Sequence, residues 1–160
     1  DFLIRDISFY LSWGPIVQDM LKRELKIEST IRQVASGVWW EEAQRGNFDI
    51  SIYGYGATIP HVADYWNAGF KTGGGYNFYG YSNPAFDAIV AETARESDPA
   101  KLKALIDRGI EILDRDVPAI VWANPVNPIA GWDNVKGHGT ATKGVNFWEG
   151  MRDEIWWLDK

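Results

Sequence analysis

Two rhythms of apolar residues alternate along this chain, one of period two and one of period three to four. Phe2 to Leu11 mixes apolar and polar residues around the β-rich run Ile7-Ser8-Phe9-Tyr10-Leu11, and the stretch reads as a first strand that Gly14-Pro15 breaks. Pro15 suits the first turn of a helix, and Ile16, Met20, Leu21 and Leu25 then recur at helical spacing. A second strand is predicted over Ser29 to Val34. Ser36 is placed to cap a short helix from Gly37 to Arg45, with Gly46-Asn47 ending it in the left-handed region. Phe48, Ile50 and Ile52 alternate with polar neighbours up to Tyr53, the mark of a half-buried strand.

From Gly54 to Tyr81 the pattern changes. Glycines at 54, 56, 69, 73, 74, 75 and 80 are interleaved with rings such as Tyr55, Trp66, Tyr76 and Tyr79, which predicts a long loop shaped to hold something. Asn83-Pro84 then opens a helix with the apolar stripe Phe86, Ile89 and Val90. Asp98-Pro99 opens another, carrying Leu102, Leu105, Ile106, Gly109, Ile112 and Leu113, which Pro118 stops. Strands are predicted over Ala119 to Ala123 and Ile129 to Trp132. A polar, Gly-rich tail from Asn134 follows, with Phe147, Trp148, Trp156 and Trp157 as an aromatic patch. The element order is that of an α/β protein.

Composition narrows the partners. At 160 residues the chain is read as a single domain, long enough to bury a core, and 46% apolar with 24% charged residues excludes wholesale disorder. A formal net charge of −6 without a basic cluster argues against nucleic acid or an anionic membrane surface as partner. Cysteine is absent, so there is no disulfide framework and no thiolate chemistry. No apolar window reaches the ~18 residues of a membrane span. The start Asp-Phe-Leu-Ile-Arg lacks a signal peptide and an initiator Met, as expected of a mature product or an excised fragment. Nine Trp, seven Tyr and seven Phe are more rings than a core of this size consumes, so some are expected on a ligand-facing surface.

Reaction centres are missing. Gly54-Tyr55-Gly56 begins like a dinucleotide fingerprint, but Ile59 stands where the third glycine belongs. The glycines at 73 to 75 lack the Lys-Ser or Lys-Thr of a phosphate loop, and no nucleophile elbow or zinc-binding helix motif occurs. His61 with Asp64 reads as an isolated polar pair. Glu41 and Glu42 lie beside Trp39 and Trp40, as carboxylates do in glycosidases. Adjacent helical residues point about 100° apart, however, and cannot flank one bond. An enzyme using Glu41 and Glu42, or an interaction module built on the aromatic tail, are the alternatives to a binding protein. No catalytic residue, metal or cofactor is expected.

Several ordered blocks resemble the extracellular solute-binding proteins of the oligopeptide and dipeptide importer family (family 5). They are Arg45-Gly46-Asn47-Phe48-Asp49, the strand ending Tyr53-Gly54-Tyr55-Gly56-Ala57, and above all Asn77 with Gly80-Tyr81-Ser82-Asn83-Pro84-Ala85-Phe86-Asp87. Ser97-Asp98-Pro99, Asp116-Val117-Pro118-Ala119-Ile120 and Asn134-Val135-Lys136-Gly137 follow in family order, so the resemblance covers about residues 15 to 137. It implies one lobe, the C-terminal one, of a type II (Venus-flytrap) periplasmic-binding-protein fold, a mixed sheet flanked by helices. A missing N-terminal lobe would close over the solute, and an ABC permease would receive it. It further implies a periplasmic or extracellular location, held to the membrane through the transporter or a lipid anchor outside this chain.

Carried over residue by residue, the resemblance points to Tyr55, Gly56, Ala57 and Thr58 as cleft lining, with Asn77 as a hydrogen-bonding group. Ser36 stands where many members have a ligand-contacting tryptophan. Thr58 stands where peptide binders have an aspartate that pairs with the peptide's amino terminus, and it cannot supply that charge. Together with the loop rings Trp66, Tyr76 and Tyr79, this leaves two ligand classes open, oligosaccharide slightly ahead of peptide.

Overall fold

The computed structural model describes residues 1–56, 59, 61–121, 132–136 and 157–159. They fall into two compact units, Asp1–Tyr55 with Ala68–Asp87, and Gly56–Asn67 with Ala88–Lys160.

In the first unit, β1 (Phe2–Arg5) lies between β2 (Ile31–Val34) and β3 (Ile50–Ser51), and both pairings are parallel. Phe2, Leu3 and Ile4 are each at most 1% exposed, because a central parallel strand is covered on both faces and needs a continuous apolar run. The strand predicted over Phe2 to Leu11 is thus confined to Phe2–Arg5. Ile7–Leu11 instead leads into α1 (Ser8–Leu25), where the buried Tyr10 and Gly14 and the half-buried Val17 and Leu21 form a helical stripe. Pro15 sits inside this helix rather than opening it. α2 (Ser36–Gln44) follows β2. Its N-cap is Ala35 and Ser36 is its first residue, so the expected serine cap is absent, while Gly46 takes the left-handed φ of +67° expected after the helix.

Alternation along β1 sends Phe2 and Ile4 to one face, packed with Tyr10 and Ile52, and Leu3 to the other, packed with Trp39 and Ala43 of α2. The sheet therefore carries two small cores, one under each crossover helix. The strand order β2-β1-β3 reverses direction at β1, which makes the carboxyl ends of β1 and β3 a topological switch point.

The predicted loop between Gly54 and Tyr81 contains a helix, α3 (Val62–Gly69). α4 (Pro84–Thr93) and α5 (Pro99–Asp116) start as expected. Asn83 Oδ1 accepts from Ala85 N at 3.0 Å and Phe86 N at 3.3 Å, and Asp98 Oδ1 accepts from Ala100 N and Lys101 N at 2.9 Å. Phe86, Ile89, Val90 and Thr93 are buried on one stripe of α4, and the Thr93 hydroxyl is satisfied by Val90 O at 2.9 Å. α5 ends with Val117 in the left-handed region, just before Pro118. Ala119 to Val121 form no strand, and residues 122–131 lie outside the described set. β4 (Val135–Lys136) pairs antiparallel with β5 (Trp157–Leu158), and of the expected tail patch only Trp157 is described.

Candidate functional site

Six rings gather in the first unit around the carboxyl ends of its strands. α2 supplies Trp39 and Trp40, the segment after β3 supplies Tyr53 and Tyr55, and the chain returning at 76–78 supplies Tyr76 and Phe78. Trp39 is the anchor, 1% exposed, with Trp40 at 5.5 Å, Tyr53 at 5.7 Å and Phe78 at 5.4 Å between ring centroids. Its indole N–H donates to Ser51 Oγ at 3.1 Å, and Ser51 in turn donates to Leu3 O at 2.8 Å, which fixes the ring against the sheet. Tyr55 stacks on Tyr76 at 4.8 Å and 16°, and the Tyr53 hydroxyl donates to Tyr76 O at 2.7 Å. The five rings around Trp39 are half-buried, so the cluster is part core and part open apolar surface.

Gly69 is required here by space. A Cβ on it would stand 1.7 Å from the Tyr55 hydroxyl oxygen and 2.4 Å from Cζ, so any side chain would push the ring out of its stack.

At the edge of the cluster lies Arg5, the last residue of β1, half-buried. Its guanidinium carbon is 4.9 Å from the Tyr10 ring centroid and 5.1 Å from that of Trp39, a cation held between two π faces. Arg5 Nη2 donates to the Tyr10 hydroxyl at 2.9 Å, and Gly54 N donates to the same oxygen at 2.9 Å. Tyr10 thereby ties the end of β1 to the segment following β3, across the switch point. Arg5 Nε is closed off from solvent and has no hydrogen-bond partner, and no carboxylate forms a salt bridge with Arg5 among the described residues. Sequence reasoning passed over Arg5 and Tyr10. The available signal was the abrupt end of Phe2-Leu3-Ile4 at a cation.

The residues expected to line a cleft divide. Tyr55 and Tyr76 join the cluster, Gly56 is exposed directly after it, and Ser36 is half-buried at the start of α2. Ala57 and Thr58 lie outside the described residues. Trp66 differs from expectation: it is 4% exposed and lies against α5, where a Cβ on Gly109 would meet its ring at 2.4 Å. It is core. Asn77 differs too, because its amide organises its own loop. Nδ2 donates to Lys71 O at 3.0 Å and Tyr81 O at 2.7 Å, while Oδ1 accepts from Tyr81 N at 2.9 Å. Tyr79 donates its hydroxyl to Gly69 O and sets its ring 6.0 Å from Phe70.

The carboxylate pair is likewise occupied. Glu42 Oε2 accepts from Arg32 Nη1 at 2.8 Å and Asn47 Nδ2 at 2.6 Å, and these hydrogen bonds hold its pKa below the usual carboxylate value. Glu41 is exposed near Arg45. His61 Nδ1 accepts from Ala63 N at 3.1 Å and Asp64 accepts from Ile59 N at 3.2 Å, both local bonds around the start of α3. Among the described residues no cluster of His, Asp or Glu could hold a metal ion, and no helix is long and apolar enough to cross a membrane.

No family model and no curated protein sequence matches the chain. Solved structures do, among them periplasmic and peptide-binding proteins. OppA of Haemophilus influenzae, in complex with RPPGFSPFR, aligns over 99% of this chain and 30% of its own, with a TM-score of 0.80 and 20% identity. OppA of Burkholderia pseudomallei aligns over 73% of this chain and 23% of its own, at TM-score 0.67 and 19% identity. DppA of Helicobacter pylori, an ABC transporter-associated periplasmic binding protein in complex with the peptide STSA, gives 0.64 and 18% over 73% of this chain and 23% of its own. At such identities the likeness establishes the fold. The chain has the α/β fold of part of a periplasmic binding protein. Oligopeptide- and peptide-binding proteins recur among the neighbours, beside NikA of Staphylococcus aureus in complex with Ni(L-His)2, and this chain spans less than a third of their length.

Proposed function

We propose that these 160 residues form the C-terminal, solute-contacting lobe of a two-lobed binding protein. It would capture a small solute outside the cytoplasmic membrane and deliver it to an ABC permease. The observation that carries this reading is the half-open aromatic cluster at the carboxyl ends of a parallel sheet, where ligands of open α/β folds gather. The similarity of the fold to OppA and DppA supports the same reading. Solute capture is then a population shift, since only the closed arrangement lets both lobes touch the solute. The lobe alone makes half the contacts and binds weakly. The ion pairs and hydrogen bonds that engage both Glu41 and Glu42 speak for binding rather than catalysis.

Two solute classes fit. Ring faces suit sugar rings and peptide side chains alike. Thr58 in place of the peptide binders' aspartate favours oligosaccharide, whereas the peptide complexes of the structural neighbours favour peptide. Native mass spectrometry of the intact protein that contains these residues, purified gently from its host, tests the proposal. A retained mass in hexose-like increments supports the sugar, and a spread of peptide masses supports peptide. A protein that retains nothing, and binds neither class when both are added, refutes solute capture.

A further inference from the structure

Tyr10 joins two distant parts of the chain at a single atom. Its phenolic oxygen takes two donors at once, Arg5 Nη2 at 2.9 Å and Gly54 N at 2.9 Å. The first donor closes β1 and carries a charge, which strengthens the bond and fixes the oxygen. The second is a backbone amide beyond Ser51, where β3 and its pairing with β1 have ended. The ring that carries the oxygen is itself held in place. It is 6% exposed, packs with Phe2, Ile4 and Ile52, stands edge-on to Phe9 at 5.2 Å, and lies under the Arg5 guanidinium. Gly54 is followed by Tyr55, whose ring stacks on Tyr76 at 4.8 Å.

We propose that Tyr10 is a positioning residue for the solute site: its hydroxyl holds the Gly54–Tyr55 backbone so that Tyr55 meets the solute already stacked on Tyr76. Tyr10 is buried and acts only through the segment it holds. This assignment rests on the reading of the ring cluster as a solute site and deepens it by locating where the order of the cluster comes from. A segment that must be ordered on binding lowers affinity, and one ordered beforehand does not. The point held is a glycine, the residue with the most backbone freedom to lose, and the bond falls on its own N–H. The anchor belongs to α1 and, through Arg5, to β1, so the segment is shaped by the sheet and its crossover helix before any solute arrives.

The test measures affinity of the intact protein, by calorimetry, for the peptide Ser-Thr-Ser-Ala and for maltotetraose, one probe of each solute class. Tyr10→Phe keeps the ring in its core and removes only the oxygen. It is expected to weaken the probe that binds by about three- to tenfold, the range of one hydrogen bond. Tyr55→Ala should weaken it as well. Adding Tyr10→Phe to Tyr55→Ala should then bring no further loss, because the hydroxyl acts through that ring. A general loss of stability does not imitate this dependence, and a melting curve verifies folding. Amide hydrogen exchange of the solute-free protein gives a second reading, with the Gly54 N–H expected to exchange faster in Tyr10→Phe. Wild-type affinity in Tyr10→Phe, an undiminished loss in the Tyr55→Ala background, or an unchanged Gly54 exchange rate overturns the role of Tyr10 and leaves solute capture standing. Absence of binding of both probes to the wild-type protein overturns that role as well. Only when the host-purified protein also retains no solute does solute capture fall with it.

Discussion

Gly109 lies mid-helix in α5, where intrinsic propensity and packing make opposite demands. On propensity alone Gly109→Ala would stabilise the protein by about 1 kcal/mol, since alanine loses less backbone entropy on entering a helix. The space around it says otherwise. The added Cβ would stand 2.4 Å from Cη2, 2.7 Å from Cζ3 and 3.2 Å from Cζ2 of Trp66. Ordinary contact begins at 3.4 Å, so ring or helix must give way by 3.4 − 2.4, about 1 Å. Trp66 is 4% exposed and has no solvent side to swing into. Overpacking of this kind costs about 1–3 kcal/mol, and a shift of a whole indole belongs in the upper half. The net expectation is a loss of about 1–2 kcal/mol in urea denaturation. Trp66→Phe removes the ring atoms that clash. The double variant should then be more stable than the sum of the single effects by about 1 kcal/mol or more, an interaction typical of residues in contact. If Gly109→Ala is as stable as the parent, or the two effects simply add, the packing of Trp66 on α5 is refuted. Trp66→Phe should also leave solute affinity unchanged, as befits a core ring.

Gly69→Ala should displace Tyr55 from its stack on Tyr76, visible as lost near-ultraviolet circular dichroism and weakened solute binding; an unchanged spectrum would contradict the placement. Asn83→Ala and Asp98→Ala should each cost about 1 kcal/mol by removing a helix cap, measured by urea denaturation. Asn77→Ala strands the Tyr81 N–H and two carbonyls in a half-buried loop, for a loss of about 1–3 kcal/mol in urea denaturation, and an unchanged midpoint would refute that role. Glu42 has a folded pKa below its ordinary 4.5, through the hydrogen bonds from Arg32 and Asn47. Its contribution to stability is therefore complete above pH 4.5 and is lost as the pH falls through the lower, folded value. Glu42→Gln should flatten that part of the stability–pH curve, and an identical acid limb in both proteins would exclude the assignment.

Capped helices were the most legible part of the chain. Asn83-Pro84 and Asp98-Pro99 combine an acceptor with a residue that needs no donor, and both helices begin there because the signal is local. The end of the first strand was misread for the opposite reason. Phe2-Leu3-Ile4 is a strand because neighbours from residues 31–34 and 50–51 flank it, and nothing within ten residues says so. Ile7–Leu11 has the composition of a strand, yet its helical stripe runs on through Gly14 and Val17 past a proline. The Gly- and Tyr-rich stretch concealed α3, since glycine frequency outweighed the short apolar pattern of Val62, Ala63 and Trp66. Tyr55 and Tyr76 were legible as members of a ring cluster from their company. The tie from Arg5 through Tyr10 to Gly54 was not, because contact between residues so far apart in sequence is a property of the folded unit.

The first unit is discontinuous in sequence, and this dictates when it can form. A ribosome delivers β1, α1, β2, α2 and β3 by residue 51, enough to pair the sheet. Trp39 and Trp40 then still lack Phe78, and Tyr55 lacks Tyr76, until some 25 further residues have emerged (76 − 51). During that interval the nascent chain shows several large rings to its surroundings, a state that invites wrong partners. Any fragment cut after Tyr55 would be stranded in the same condition, so a shortened version of this unit must keep residues 68–87 or re-cover those rings by redesign.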